Sequence, residues 1–207
     1  MKTVRTVPWW GLTSSAAAPA LLVGGWTEAA RRQPLPVDPV ADTVSALAAV
    51  GAADRWLMTM TFAAVGICYI VTGIALRPAG AAGRLILVAG AAAGMLVTVN
   101  PQPPYGGSPA HAFWASAGFV ALAVWPAGAW RRGPDVPWGL RPAVCAGAVM
   151  VLLFLLACFG AEVITGLGQA GLVERALGLA QAVWPLTVVL SCRHPAGMPV
   201  GRARSAA

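Results

Sequence analysis

The chain has 207 residues, 58% of them hydrophobic and only 10% charged, with a formal net charge of +7. Soluble globular domains carry about 25% charged residues, so this balance excludes that class and makes lipid the solvent. The basic surplus does not describe a nucleic-acid binder, because Lys and Arg are scattered between apolar runs, where they orient a membrane chain.

The first apolar run covers residues 9–30. Lys2 and Arg5 precede it as in a signal peptide, but Trp9 and Trp26 bracket it like interfacial anchors, and it reads as a retained span. In the loop that follows, Asp42 or Thr43 is expected to cap a short helix lying along the outer surface, and Asp54 to cap the second span. A second reading makes Asp38 and Asp42 part of a pocket on that face. Further spans are expected over 55–76, 84–99, 110–130, 140–166 and 173–191, each near the roughly 20 residues that cross a bilayer. The predicted fold is all-α, a single polytopic bundle of six transmembrane helices, with 192–207 as a cytoplasmic tail. The 24 glycines and many alanines suit close helix packing in lipid.

A charge-free loop over 100–108 leads to His111 at the start of span four. A protonated histidine gains nothing from the dipole at a helix start. His111 is therefore either a hydrated interface residue or a proton carrier beside Asp42 or Glu162. Glu162 stands inside the apolar run 151–167, where an ionisable group is costly unless it faces the bundle, water or the headgroups. Trp184, followed by Pro185, lies deep in span six, where proline removes a backbone donor. Asp42, His111 and Glu162 form a tentative catalytic set meeting in one outer pocket. Asp38, Asn100, Trp114, Gln181 and Trp184 are its tentative lining, with Glu28 a weaker candidate.

Placing the N-terminus inside puts Lys2, Arg5, Arg77, Arg84, Arg131, Arg132, Arg141, Arg193, Arg202 and Arg204 in the cytoplasm, ten of the fourteen basic residues. Arg31, Arg32, Arg55 and Arg175 remain outside, which supports both termini in the cytoplasm of a multi-pass cell-membrane protein. Acidic residues gather oppositely: Glu28, Asp38, Asp42, Asp54, Glu162 and Glu174 outside, Asp135 inside. Trp9, Trp10, Trp125, Trp130 and Trp138 are expected at the inner boundary, Trp26, Trp56 and Trp114 at the outer one. Cys68, Cys145, Cys158 and Cys192 form no CxxC pair and read as packing residues. With two histidines, His111 outside and His194 inside, neither a haem nor a metal site is indicated, and no cofactor is expected. No hydrolase, nucleotide or protease motif stands in a suitable context.

Several segments together resemble a bacterial integral-membrane family, domain of unknown function 998. They are Asp42-Thr43-Val44-Ser45-Ala46-Leu47, Gly51-Ala52-Ala53-Asp54-Arg55-Trp56-Leu57-Met58, Ala110-His111, Trp125-Pro126, Glu174-Arg175 and Gln181-Ala182-Val183-Trp184-Pro185. The resemblance runs from about Trp9 to Arg193. It implies a six-helix membrane protein and supplies no catalytic residues. Three functions stay open. One is a binding protein with an outward-facing polar pocket for a lipid-like or apolar ligand. Another is an enzyme acting on a lipid or isoprenoid, such as an acid-initiated terpenoid cyclase with Glu162 as the acid. The third is a small transporter, disfavoured by the uncharged middle of the bundle. The bilayer is the one certain partner; the oligomeric state is not legible.

Overall fold

The computed structural model describes residues 7–104 and 106–193. Lys2, Arg5, His194, Arg202, Arg204 and most of the predicted tail lie outside the described residues. The fold is built of six α-helices: α1 (Trp9–Arg31), α2 (Arg55–Ala75), α3 (Ala81–Thr98), α4 (Pro109–Ala129), α5 (Pro142–Thr165) and α6 (Ala170–Arg193). Two short 3-10 turns, Ser45–Ala48 and Trp138–Leu140, lie in the α1–α2 and α4–α5 connections. Among the described residues there is no strand. In lipid every backbone N–H and C=O needs an internal partner, which helices supply from within one segment.

Each helix packs on its neighbours in sequence, and α6 returns to α1, closing a ring. Helices α2 to α6 are long and apolar enough to cross a membrane. Helix α1 is less apolar, carrying Thr13, Ser14, Ser15, Thr27 and Glu28. Its 23 residues nevertheless extend about 34 Å at 1.5 Å per residue. Its two ends match those of α2: Gly11 lies against Ala75, and Gln33 bonds the backbone of Ala53. The hydroxyls that lower its hydropathy are satisfied within the bundle, Ser14 on Thr72 at 2.9 Å and Ser15 on the Leu12 carbonyl.

Two faces result. The terminal face holds the start of α1 and the end of α6, joined by Arg193 donating to the Val7 carbonyl at 2.8 Å. Arginines there hydrogen-bond backbone carbonyls: Arg131 bonds Ala79 in the α2–α3 turn, and Arg84 bonds Gly73 and Ile74, left over at the end of α2. Positive charge suits those positions because the last carbonyls of a helix carry partial negative charge. The loop face holds the long 32–54 connection, the α3–α4 loop and the α5–α6 turn; Val50 N–H donates to the Gln102 carbonyl at 2.8 Å and ties two of them together.

Helices α3 and α6 each begin three residues before their expected starts. Gly80 N–H bonds the Ala129 carbonyl, which fixes the first turn of α3 against the end of α4. Glu162 Oε2 accepts from Gln169 N–H at 2.9 Å and holds the chain at the start of α6. The expected surface helix is the single turn Ser45–Ala48, with Leu47 and Ala48 buried. Thr43 rather than Asp42 is its hydroxyl acceptor, taking Ala46 N–H at 3.2 Å. Asp54 occupies the cap position of α2 with a left-handed backbone (φ 48°), but its carboxylate pairs with Arg32 at 3.3 Å instead of capping. Glu28 on one side and Asp54 on the other, the Glu28 bond foremost, raise the Arg32 pKa above its ordinary value. Trp9, Trp56 and Trp138 are exposed, as anchors should be, whereas Trp125 is fully buried and Trp26 turns inward.

Candidate functional site

The long loop is held to α6 by a side chain that sequence reasoning placed only among the outer acids. Glu174, in the second turn of α6, is 4% exposed. Its Oε2 accepts from Val44 N–H and, at 3.4 Å, Ser45 N–H; Oε1 accepts from the Ser45 hydroxyl at 2.6 Å. The 3-10 turn of the long loop is thus pinned to α6 across 129 residues of sequence. Arg175 strengthens the junction by donating to the Pro39, Asp42 and Gly171 carbonyls at 2.7–3.0 Å. Gly171 permits this approach, since a Cβ there would fall onto the Asp42 carbonyl. Leu172 N–H donates to the Val40 carbonyl at 3.0 Å, so the loop follows the first turn of α6.

Beneath this junction lies a cavity of about 120 Å³. Helices α1, α2, α3, α4 and α6 wall it, and Val44 and Ser45 close its loop-face end. Its lining is mostly apolar, with Trp26, Phe62 and Phe119 as rings and Gly94 leaving open space on α3, while Gly90 and Gly118 let α3 and α4 approach closely. The polar side chains in the wall are Ser45, Tyr69, Glu174 and Gln181. No Lys, Arg or His is among them.

No hydrogen bond or ion pair joins the residues of the expected catalytic set among the described residues. Asp42 is exposed and accepts from Asp38 N–H at 2.8 Å, while Asp38 accepts from Val40 N–H at 2.8 Å; the two carboxylates shape the loop. His111 is 4% exposed; its Nδ1 lies 3.0 Å from the Asn100 carbonyl, and its backbone N–H donates to the Ser108 hydroxyl. Glu162 holds Gln169, as described above. None of the three lines the cavity, and no carboxylate lies within ion-pair reach of His111 among the described residues.

Of the expected lining, Gln181 alone stands in the cavity wall. It is buried, and its amide nitrogen donates to the Phe119 carbonyl at 2.9 Å, bridging α6 to α4. Asn100 closes the end of α3 by donating to the Leu96 carbonyl at 2.8 Å. Trp114 is half-buried and meets Phe113 edge-to-face at 4.9 Å. Trp184 lines a separate apolar groove between α5 and α6, with Val151, Leu152 and Ala180. Asp38 stays on the loop surface. Among the described residues, no group of three or more His, Cys, Asp or Glu could hold a metal ion.

Sequence reasoning missed Glu174 and Tyr69. The available signal for Glu174 was helical spacing: Gly171, Glu174, Gly178 and Gln181 recur at three and four residues and share one face of α6. That face is inward because glycine allows the close approach that helices in lipid use.

A six-helix ring in which five helices are long and apolar enough to cross a membrane defines a polytopic integral membrane protein. More particularly, the chain belongs to the family described as protein of unknown function (DUF998), whose profile matches residues 15–191. No match was found among curated proteins or among solved structures.

Proposed function

We propose that this integral membrane protein binds an apolar or lipid-like ligand in the cavity beneath the loop face, and that this face is extracytoplasmic. The observation that carries the reading is the cavity itself, about 120 Å³ with five helices in its wall. A cavity of about 150 Å³ takes up benzene, so this one has room for roughly one ring or a branched end of a longer molecule. A binding role is favoured over catalysis because Glu162, Asp42 and Glu174 all spend their carboxylates on backbone N–H groups. An acid that starts a reaction must reach the substrate within about 3 Å.

The test is to fill the space. Gly94 lines the cavity and a Cβ on it meets no atom within 4 Å, so Gly94→Leu starts its side chain in open space. Labelling of Trp26, Tyr69 and Gln181 by an apolar carbene-generating probe is expected to fall at least fivefold in Gly94→Leu. Labelling of the apolar outer face of α5 should be unchanged.

The cell-membrane orientation rests on charge. Arg77, Arg84, Arg131, Arg132, Arg141 and Arg193 belong to the terminal face, and Arg31, Arg32, Arg55 and Arg175 to the loop face. Short loops rich in Lys and Arg stay in the cytoplasm. Reporter fusions after Gly133 and Ser108 are expected on opposite sides, with Gly133 cytoplasmic. A cytoplasmic Ser108 would reverse the orientation.

A further inference from the structure

Among the described residues, three polar atoms of cavity-lining side chains make no hydrogen bond: the Trp26 indole nitrogen, which can only donate, the Tyr69 hydroxyl and Gln181 Oε1. Tyr69 is 5% exposed and Gln181 1%, so neither belongs to the outer surface. The bond from the Gln181 amide nitrogen to Phe119 leaves its oxygen as the free end. The unpartnered atoms that are sealed off altogether belong to Arg55, Trp125 and Trp184. The Tyr69 hydroxyl and Gln181 Oε1 are not among these sealed atoms, and the cavity is the space that their residues line. Buried polar groups are normally paired, and a few convergent polar groups in an apolar pocket are how a site orients its ligand.

Charge narrows the ligand further. No cation lines the cavity, so a phosphate or carboxylate headgroup would enter without a counter-ion. Glu174 is the one acid there, and both its oxygens are engaged by the loop. A ligand ammonium would have to compete with that junction for Glu174. Resting on the cavity as a ligand site, we propose that the ligand is a neutral, apolar alcohol, its hydroxyl read by Gln181 Oε1 as a donor and by the Tyr69 hydroxyl as an acceptor. An alcohol supplies both roles from one atom, whereas an ether lacks the donor.

The probes are tetradecanol, its methyl ether, tetradecanoate and tetradecyltrimethylammonium. Each competes against a diazirine-bearing tetradecanol for labelling of the protein in nanodiscs. In the wild type the alcohol is expected to compete about tenfold better than the ether, the effect of one hydrogen bond, with both ionic chains weaker still. Gln181→Met should erase the difference between alcohol and ether. Tyr69→Phe, which removes only the hydroxyl, should weaken both alike, and it decides the matter if Gln181→Met does not fold. Equal competition by alcohol and ether, or best competition by either ionic chain, overturns the alcohol. If Gly94→Leu leaves labelling intact, the cavity reading itself fails; if it abolishes labelling while alcohol and ether compete equally, only the ligand class fails.

Discussion

Replacing Glu174 by leucine is expected to release the long loop from α6 and to cost about 3 kcal/mol of stability. The substitution roughly conserves volume, so the loss comes from hydrogen bonding alone. Val44 N–H, Ser45 N–H and the Ser45 hydroxyl would lose their acceptor together. A buried donor left without a partner costs about 1–3 kcal/mol. Glu174→Gln keeps one acceptor oxygen but turns the other position into a donor, and should cost about half as much. Thermal unfolding in detergent and protease cleavage within residues 34–50 measure both effects. An unchanged unfolding temperature and an uncut loop in Glu174→Leu would mean that Glu174 does not hold the loop.

Gly83→Leu should be comparably damaging, for a steric reason. A Cβ on Gly83 would lie 2.4 Å from the Ala129 nitrogen and 2.6 Å from its Cα, so the obstacle is backbone, not a side chain that can rotate away. A Cβ on Gly128 would meet the same contact from the other helix, 2.7 Å from the Gly83 nitrogen. Overpacking costs about 1–3 kcal/mol where neighbours can relax, and more where they cannot. A loss of about 3 kcal/mol is expected, with α3 forced away from the end of α4. Gly24→Leu is the control, because a Cβ there meets nothing within 4 Å. Equal unfolding temperatures for the two variants would refute the close α3–α4 crossing.

The helices were legible because lipid imposes a length and a composition that uninterrupted apolar runs display directly. Their exact starts were not, since the first turns of α3 and α6 depend on Ala129 and Glu162, partners the local pattern does not name. The site was less legible for a related reason. His111 and Glu162 stand out as polar residues near apolar runs, yet each is satisfied by nearby chain, Asn100 and Gln169. Polarity in such a run signals a need for a partner, and a local partner ends the matter. Gln181 was visible because its run offers no local side-chain partner. Glu174 looked like any other outer-face acid because its acceptor role is decided by Val44 and Ser45, which no window around it contains. Tyr69 resembled any aromatic residue in a span; only the cavity beside it gives its hydroxyl meaning.

The most direct measurement is photolabelling of wild type and Gly94→Leu in native membranes by an apolar diazirine probe, mapped peptide by peptide. The cavity account predicts strong labelling of the α1, α2 and α6 peptides containing Trp26, Tyr69 and Gln181 in the wild type. It predicts loss of that labelling in Gly94→Leu, with α5 labelled equally in both. Wild-type labelling confined to α5 and the other outer faces, or cavity labelling indifferent to Gly94→Leu, would contradict it.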